Sequence, residues 1–348
     1  VGPESAAANP GPIIYGRGGE QITVSDANAI LGRLDSEHFL GGDMRLHLES
    51  AQAAMSRLAT QIRYYTREKT ALGVIDITNV NIDRALRRVS IARGYDPREF
   101  TLMAFGGAGP LHACEIAERL EIPRVLIPRY PGVMCAIGLL VADVQREYTH
   151  TILKEFGESI MFLRLLREMV LAKAKEDLRA EGISEELMHL EDSLDMRYVG
   201  QSYELNIPAE DDMREAFHDA HKQRYGHALR EHPIEVVNLR VKAVGRIKKP
   251  HFEAEDLHDS DGSEGFIGHK KALFHSGEHQ IALYEREKLL PGTRFKNPAL
   301  IFQMDSTTLI PPNWSVQVDK FRNLILSYNP SKSRDIQAAR ARRKARAQ

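Results

Sequence analysis

The sequence predicts a mixed α/β fold that is followed by an α+β segment and a β-rich segment. Residues 98–145 alternate short apolar runs with an amphipathic helical pattern, which is typical of a βαβ unit with parallel strands. From residue 190 the apolar residues alternate with polar ones, as they do in half-buried strands. After residue 265, strand-like runs are separated by Gly and Pro turns.

The composition excludes several classes of protein. A chain of 348 residues predicts two or three domains at roughly 100–200 residues each. Because 47 basic residues balance 48 acidic ones, we expect neither nucleic acid nor a membrane as a partner. Two cysteines, no signal peptide and no apolar run near the ~20 residues of a membrane span predict a cytoplasmic protein. The loop-like start at Val1 suggests a processed, truncated or split protein.

The first 95 residues predict a loop followed by helices. Residues 1–19 are rich in Gly and Pro, which disfavour a regular helix. Ser25 or Asp26 is the predicted N-cap of a short helix. Apolar residues at spacings of three and four then predict helices over 46–67 and 81–94.

Residues 98–145 contain the elements of the predicted βαβ unit. The run FTLMAF is typical of a strand buried on both faces, and RVLIP of a second such strand. Between them lie a Gly-rich turn, FGGAGP at 105–110, and the amphipathic helix LHACEIAERL. After the second strand, MCAIGLLVADV predicts a buried helix rich in small residues.

The rest of the chain predicts one α+β segment and one β-rich segment. The α+β elements are a helix over 155–182, strands at 194–198 and 203–207 that form a hairpin around Gly200, a helix near 211–224 and a strand over 236–244. An acidic, turn-rich linker at 253–264 precedes the β-rich segment. The basic tail 331–348 has no apolar face, so we expect it to be disordered.

The Gly-rich turn is the leading candidate for a binding site. Gly106, Gly107, Ala108 and Gly109 follow a strand and precede a helix, so a ligand can approach the backbone and the positive end of the helix dipole. This arrangement suits a phosphate or a purine–ribose unit. No Lys-Ser/Thr pair follows, which excludes a Walker A loop, and the spacing differs from GxGxxG. The alternative is a tight turn without a ligand.

Three further residues are possible site residues, each with a structural alternative. His112 begins the helix after the turn, where we favour capping or packing over a site role. Asp26 is a candidate for an N-cap or for a polar site. Arg17 is an exposed loop residue by default, but a Gly-rich loop could bring it to a phosphate or a partner.

Other reactive side chains are better explained by structure. Cys114 is predicted to be a small core residue, and Asp305 a turn residue rather than a catalytic acid. Four histidines form a loose cluster without a convincing third metal ligand, so we expect a solvated polar face and no metal site. These histidines are His218, His221, His227 and His232.

Nearly the whole chain resembles the hydantoinase A / 5-oxoprolinase family. The segments that carry the resemblance are GPESAAANPGP, RGYDPREFTLMAFGGAGPLHACEIAERLEIPRVLIPRYPGVMCAIGLLVADVQREY, RYVGQSYELNIP, RYGHALREHPIEVVNLRVKAVG and NPALIFQMDSTTLIPPNWSVQVDKFRNLIL. The resemblance implies an actin/Hsp70/sugar-kinase-like (ASKHA) nucleotide-binding subdomain followed by α+β and β-rich C-terminal modules. The expected domains are 1–150, 151–252 and 253–330, with the tail at 331–348.

The same resemblance implies nucleotide-binding roles for particular residues. Gly106, Gly107, Ala108 and Gly109 are expected against the adenosine or ribose of ATP. The helix that contains Ala136 and Gly138 is expected to pack behind that site. The family's D-x-G-G-T phosphate loop and its second, Gly/Thr-rich phosphate loop do not occur in this sequence, so the ligands of the phosphates and of Mg²⁺ are expected on an N-terminal portion or a separate chain.

The resemblance also implies a function. It indicates the C-terminal part or a split subunit of an enzyme that uses ATP to phosphorylate a cyclic amide, such as a lactam or hydantoin, before ring-opening hydrolysis. The first alternative is a subunit of an ATP-dependent carboxylase of acetone or acetophenone, and the second is a non-catalytic assembly protein. The expected partners are an N-terminal hydantoinase A-type portion, a hydantoinase B-type subunit and a small-molecule substrate, and the chain alone is expected to be inactive.

Overall fold

The computed structural model describes residues 2, 4–63, 65–210 and 212–329. The predicted basic tail lies outside the described residues. The chain divides into two compact units, one formed by Val1–Ala136 with Phe252–Gln348 and the other by Ile137–His251. No helix within the described ranges is both long enough and apolar enough to cross a membrane.

Helices and strands alternate in the first part of the chain, and strands dominate its end. The α-helices of the described residues are α1 (Val24–Ile30), α2 (Leu48–Ile62), α3 (Arg67–Val89), α4 (Gly109–Leu120), α5 (Met134–Val141), α6 (Phe156–Ala180) and α7 (Met213–Tyr225). The strands are β1 (Thr101–Met103), β2 (Arg124–Ile127), β3 (Val144–Glu155), β4 (Met188–Tyr198), β5 (Leu205–Pro208), β6 (Ile234–Gly245), β7 (Phe266–Phe274), β8 (Gly277–Glu285), β9 (Arg294–Phe295), β10 (Ala299–Gln303), β11 (Ser306–Ile310), β12 (Trp314–Val318) and β13 (Leu324–Tyr328).

The first unit contains a five-stranded sheet in the order β1-β2-β13-β12-β9. β1 and β2 pair in parallel, with Leu102 opposite Val125, so the predicted βαβ unit is confirmed. β13 then pairs antiparallel with β2, with Leu326 opposite Val125. The β-rich segment after residue 252 therefore completes the sheet that β1 and β2 begin.

Two predictions of burial in this region are wrong. β1 has only three residues and lies at the edge of its sheet, so Thr101 and Met103 are exposed rather than buried on both faces. The segment at Met134–Val141 is helical as expected, but none of its residues is buried. Apolar composition predicts burial only where a neighbouring element covers the surface, and the described residues provide none here.

A second sheet of the first unit has the order β11-β10-β8-β7. Its apolar side chains pack with α4 and with the five-stranded sheet around the single tryptophan, Trp314, which is 1% exposed. Another cluster joins the same sheet to α1 and α2 through residues such as Leu34 and Leu300. These clusters place the beginning of α4 within a continuous core.

The helices before residue 95 differ in their bounds from the predicted ones. The predicted helix over 46–67 ends at Ile62, and α3 extends from Arg67 to Val89 where a helix over 81–94 was expected. The Thr66 side chain accepts a hydrogen bond from the Lys69 N–H, which caps α3 at its start. The sequence interpretation overlooked this cap, because the apolar spacing is interrupted there.

The second unit is one antiparallel sheet in the order β3-β6-β4-β5, with α6 and α7 packed on one face. The predicted hairpin is confirmed, since Leu194 of β4 lies opposite Ile207 of β5. The long strand β3 was missed because its exposed and half-buried residues do not alternate regularly. The other face of the sheet is polar and opens into a cavity of about 590 Å³.

Candidate functional site

The Gly-rich turn lies where the two parallel strands end. Because β1 and β2 are parallel, their carboxyl ends lie side by side, and the loops that follow them meet. The Gly106 N–H donates a hydrogen bond of 2.7 Å to the carbonyl oxygen of Pro131, in the loop after β2. Gly106 has a φ of +84°, which favours glycine. A Cβ at Gly106 or Gly109 would meet no atom within 4 Å, so the turn faces open space.

The start of α4 adds backbone N–H groups to this turn, although the Leu111 N–H already donates to the Ala108 carbonyl oxygen at 3.1 Å. Ala108 occupies the N-cap position and makes no capping hydrogen bond from its side chain. Pro110 stands in the first turn, where its missing N–H costs nothing. The first-turn N–H groups of α4 therefore lack the side-chain acceptor that a helix usually has.

The hairpin turn between β10 and β11 forms a third wall of the site. The Ser306 hydroxyl donates to the carbonyl oxygen of Gly106 at 3.0 Å, which ties the hairpin to the Gly-rich turn. The Asp305 carboxylate lies against Gly132 in the loop after β2. Asp305 is a turn residue, as predicted, but the turn brings its carboxylate to the candidate site.

A buried arginine supports the loop after β2. Arg286 donates through Nη2 to the carbonyl oxygens of Ile127, Pro128 and Arg322, at 3.4, 3.1 and 3.0 Å. Burial lowers the pKa of the Arg286 guanidinium to about 10, and the negative charge of Asp305 opposes this effect. Since Nη1 has no hydrogen-bond partner among the described residues, the guanidinium is held mainly by backbone carbonyls.

His112 belongs to a buried chain of polar side chains behind the turn. His112 is 4% exposed, and its Nδ1 lies 2.8 Å from the Asn79 Oδ1. Because an amide oxygen only accepts, Nδ1 carries the proton, and Nε2 faces the Asn28 amide nitrogen at 3.5 Å. Burial lowers the pKa of His112, so the ring is neutral near pH 7.

This series of polar side chains continues from Asn79 to a partly buried ion pair. Asn79 donates through Nδ2 to Glu115 at 2.8 Å, and Arg33 lies 2.8 Å from the other oxygen of that carboxylate. Arg33 is fully buried, with its guanidinium 5.3 Å from the centre of the Phe274 ring. Its Nε and Nη1, and the Asn28 Oδ1, have no hydrogen-bond partner in the described structure.

Sequence reasoning missed most of this polar chain. Asn79 follows Ala71 and Ile75 at intervals of four residues, so it lies on the buried face of α3. A polar residue in an apolar repeat was the available signal. His112, for which we favoured capping or packing, is buried and packed.

Two further side chains of α4 are structural. Cys114 is buried as predicted, and burial raises the pKa of its thiol well above the usual value. The Trp314 indole N–H donates to Glu118 at 2.6 Å. Burial raises the pKa of Glu118, while that hydrogen bond opposes the shift. α4 is therefore fixed along its length by buried groups.

Neither Asp26, in the first turn of α1, nor Arg17, in the N-terminal loop, lies in the Gly-rich turn. The N-cap of α1 is Thr23 and not Ser25 or Asp26, because Asp26 is the third helical residue and completes a capping box with Thr23. The buried Asp26 carboxylate also accepts from the N–H of Ile14 at 2.8 Å. Arg17 is exposed and donates to the carbonyl oxygen of Ala8 at 3.3 Å.

Ala136 and Gly138 both lie on α5 and are exposed. The boundary between the two units falls directly after Ala136, so Gly138 belongs to the second unit. Their packing behind the Gly-rich turn therefore stays a prediction.

The prediction of a solvated face is wrong for two of the four clustered histidines of the second unit, whereas His227 and His232 are exposed. His218 and His221 are 1% and 2% exposed. Tyr198 accepts from the Leu229 N–H at 2.7 Å and donates to the Nδ1 of His218 at 2.7 Å. The rings of His218 and His221 pack against Tyr198, which is fully buried. Within the described ranges, no group of three His, Cys, Asp or Glu residues could hold a metal ion.

These features define a class: a mixed α/β protein with a Gly-rich βα turn at the carboxyl edge of parallel strands, where α/β proteins bind ligands. The hydantoinase/oxoprolinase family model matches residues 1–148, and the hydantoinase/oxoprolinase C-terminal domain model matches residues 163–329. The chain belongs to the hydantoinase/oxoprolinase family.

Curated relatives and a solved structure agree with this assignment. An uncharacterized protein of Methanocaldococcus jannaschii is 40% identical over 92% of this chain and 47% of its own length. The caprolactamase subunit alpha of Pseudomonas jessenii is 30% identical over 92% of this chain and 48% of its own. Nucleotide-free acetone carboxylase, 24% identical, has the same fold, with a TM-score of 0.82 over 94% of this chain and 49% of its own. The chain thus spans about half the length of these relatives.

Proposed function

We propose that this chain carries the adenosine side of the ATP site in an ATP-dependent cyclic amide hydrolase. The observation that carries the proposal is the open Gly-rich turn of residues Gly106, Gly107, Ala108 and Gly109. The turn joins parallel strands to a helix whose first N–H groups have no capping side chain. The proposed subdomain is of the actin/Hsp70/sugar-kinase type, with Ala136 and Gly138 on the helix that would pack behind the nucleotide.

ATP would supply the phosphoryl group that makes an amide oxygen a good leaving group. Transfer of the γ-phosphoryl group to the oxygen of a cyclic amide releases ADP. A first water then adds to the activated carbon, and the ring C–N bond breaks to release the amine and leave an acyl phosphate. A second water hydrolyses the acyl phosphate to a carboxylate and phosphate. The residues of this chain would bind the nucleoside. We expect the groups that hold the phosphates and Mg²⁺ in a partner portion.

Exposed apolar side chains support such a partner. Phe105, Tyr130, Val133 and Met304 flank the three loops of the site and are 47%, 41%, 47% and 67% exposed. Clusters of this kind mark surfaces that bind another molecule. Since the relatives are about twice as long as this chain, we propose that an N-terminal hydantoinase A-type portion covers the patch and that a hydantoinase B-type subunit completes a cytoplasmic complex.

A ketone substrate is the second candidate. Acetone carboxylase, an enzyme of ATP-dependent acetone carboxylation, has the same fold. The caprolactamase subunit has the higher sequence identity to this chain, 30% against 24% for acetone carboxylase. This difference favours a lactam over a ketone as the substrate. The third candidate is a non-catalytic assembly protein, in which the Gly-rich turn binds no nucleotide.

The test uses the protein purified from its own source with every co-purifying chain. ATP hydrolysis is measured with a lactam, a hydantoin and a ketone, each with and without bicarbonate. Stimulation by a cyclic amide without bicarbonate supports the proposal, whereas stimulation only by a ketone with bicarbonate favours the carboxylase. Failure of the complex to bind ATP would favour the assembly protein.

A variant pair locates the nucleotide. Gly107→Val adds a branched side chain to the turn, where its Cβ alone would make only an ordinary contact with the Asp305 carbonyl oxygen at 3.5 Å. We expect it to abolish ATP binding by the complex while the chain still folds. Gly73→Val is the control, since a Cβ at Gly73, which lies in α3 and away from the turn, meets nothing within 4 Å. Unchanged ATP affinity in Gly107→Val would refute the placement.

A further inference from the structure

One oxygen of the Asp305 carboxylate, Oδ2, is not used by the hairpin turn. β10 and β11 pair from Gln303 opposite Ser306, so Met304 and Asp305 form a two-residue turn. Aspartate usually occurs in turns because its side chain bonds nearby backbone N–H groups. Here the Asp305 Oδ1 accepts from the side chain of Gln303 at 2.8 Å. No residue in the described ranges donates a hydrogen bond to Oδ2.

The position of this carboxylate is fixed by the walls of the candidate site. A Cβ at Gly132 would lie 2.4 Å from the Asp305 Oδ2 and 2.6 Å from its Cβ, so only glycine fits there. On the other side, the Asp305 carbonyl oxygen would lie 3.5 Å from a Cβ at Gly107. Ser306, the next residue, donates to the Gly106 carbonyl oxygen. The backbone of Asp305 thus lies against the Gly-rich turn, and its carboxylate is held against the loop after β2.

The sign of the charge limits what Asp305 can contact. A carboxylate repels phosphate groups unless a cation lies between them, so direct contact of Asp305 with the triphosphate is unfavourable. It accepts hydrogen bonds strongly, and hydroxyl groups are suitable donors. In dinucleotide-binding α/β folds an acidic residue near the Gly-rich turn binds the hydroxyl groups of ribose.

We propose that Asp305 binds the nucleotide, with its Oδ2 accepting a hydrogen bond from a ribose hydroxyl. The inference rests on the proposed ATP site and adds a residue and a specificity to it. It makes the site selective for ribonucleotides over deoxyribonucleotides. The hairpin between β10 and β11 then contributes directly to binding.

The experiment measures equilibrium binding of ATP, 2′-deoxy-ATP and 3′-deoxy-ATP to the purified complex. In the wild-type protein, one deoxy analogue should bind about 10- to 100-fold more weakly than ATP, the loss expected for one hydrogen bond to a charged group. Asp305→Ala should weaken ATP by the same factor and leave that analogue unchanged. Asp305→Asn, whose side chain also suits turns, should reduce the discrimination with the turn preserved.

The control is Asp261→Ala, since Asp261 is an exposed turn residue that accepts from the Ser263 N–H. It should change neither affinity nor discrimination. Equal weakening of ATP and both analogues by the Asp305 variants would overturn the inference, as would a changed Mg²⁺ requirement without a change in discrimination. Failure of the wild-type complex to bind ATP would instead overturn the proposed function and this inference with it.

Discussion

Replacement of His112 with phenylalanine tests the buried polar chain that fixes the start of α4. Phenylalanine keeps a ring of similar size but removes the proton that Nδ1 donates to the Asn79 Oδ1 at 2.8 Å. Asn79 is 2% exposed, so water does not replace the lost donor. A buried acceptor left without a partner costs about 1–3 kcal/mol.

This orphaned oxygen sets the size of the effect. The second contact of His112, at 3.5 Å to the Asn28 amide nitrogen, is too long to contribute much. We therefore expect the free energy of unfolding of the first unit to fall by about 1–3 kcal/mol. That is a large part of the roughly 5–15 kcal/mol that stabilises a typical domain.

Urea unfolding followed by tryptophan fluorescence measures the change. The chain has a single tryptophan, and Trp314 is buried in the core of the first unit, so its emission reports that unit alone. His275→Phe is the matched control, because His275 makes an exposed contact of 2.9 Å to Asp76. A loss below about 0.5 kcal/mol for His112→Phe, or a loss equal to that of the control, would refute the reasoning.

Two more perturbations test other parts of the structure. Gly132→Ala places a Cβ 2.4 Å from the Asp305 Oδ2, so the hairpin or the loop must move, and urea unfolding should show a loss of about 1–3 kcal/mol; an unchanged midpoint would show that the two loops are not in contact. Burial lowers the pKa of His218 in the folded state, so the unfolded chain binds its proton first, and the second unit should lose stability as the pH falls below about 6.5. Hydrogen exchange, corrected for the intrinsic exchange rate at each pH, measures the loss, and protection factors of that unit that do not fall between about pH 6.5 and pH 5 would contradict it.

Much of the candidate site could be predicted from the sequence because its signals are local. Gly106 and Gly109 mark a backbone that needs space or a positive φ, and the strand–turn–helix order around them follows from apolar spacing. The contribution of Asp305 could not be predicted in the same way. It lies almost two hundred residues further along the chain, and only the pairing of β10 with β11 brings it to Gly132.

The sequence by itself determined the class of fold, the position of the Gly-rich turn, the hairpin of the second unit and the family. These depend on residue types and periods within short segments, where backbone preferences and amphipathic faces act locally. Tertiary structure alone decided that β13 pairs with β2, that α5 is exposed and that His112 joins Asn79. Such contacts form between distant segments when the core packs cooperatively, and a local pattern carries no information about its distant partner.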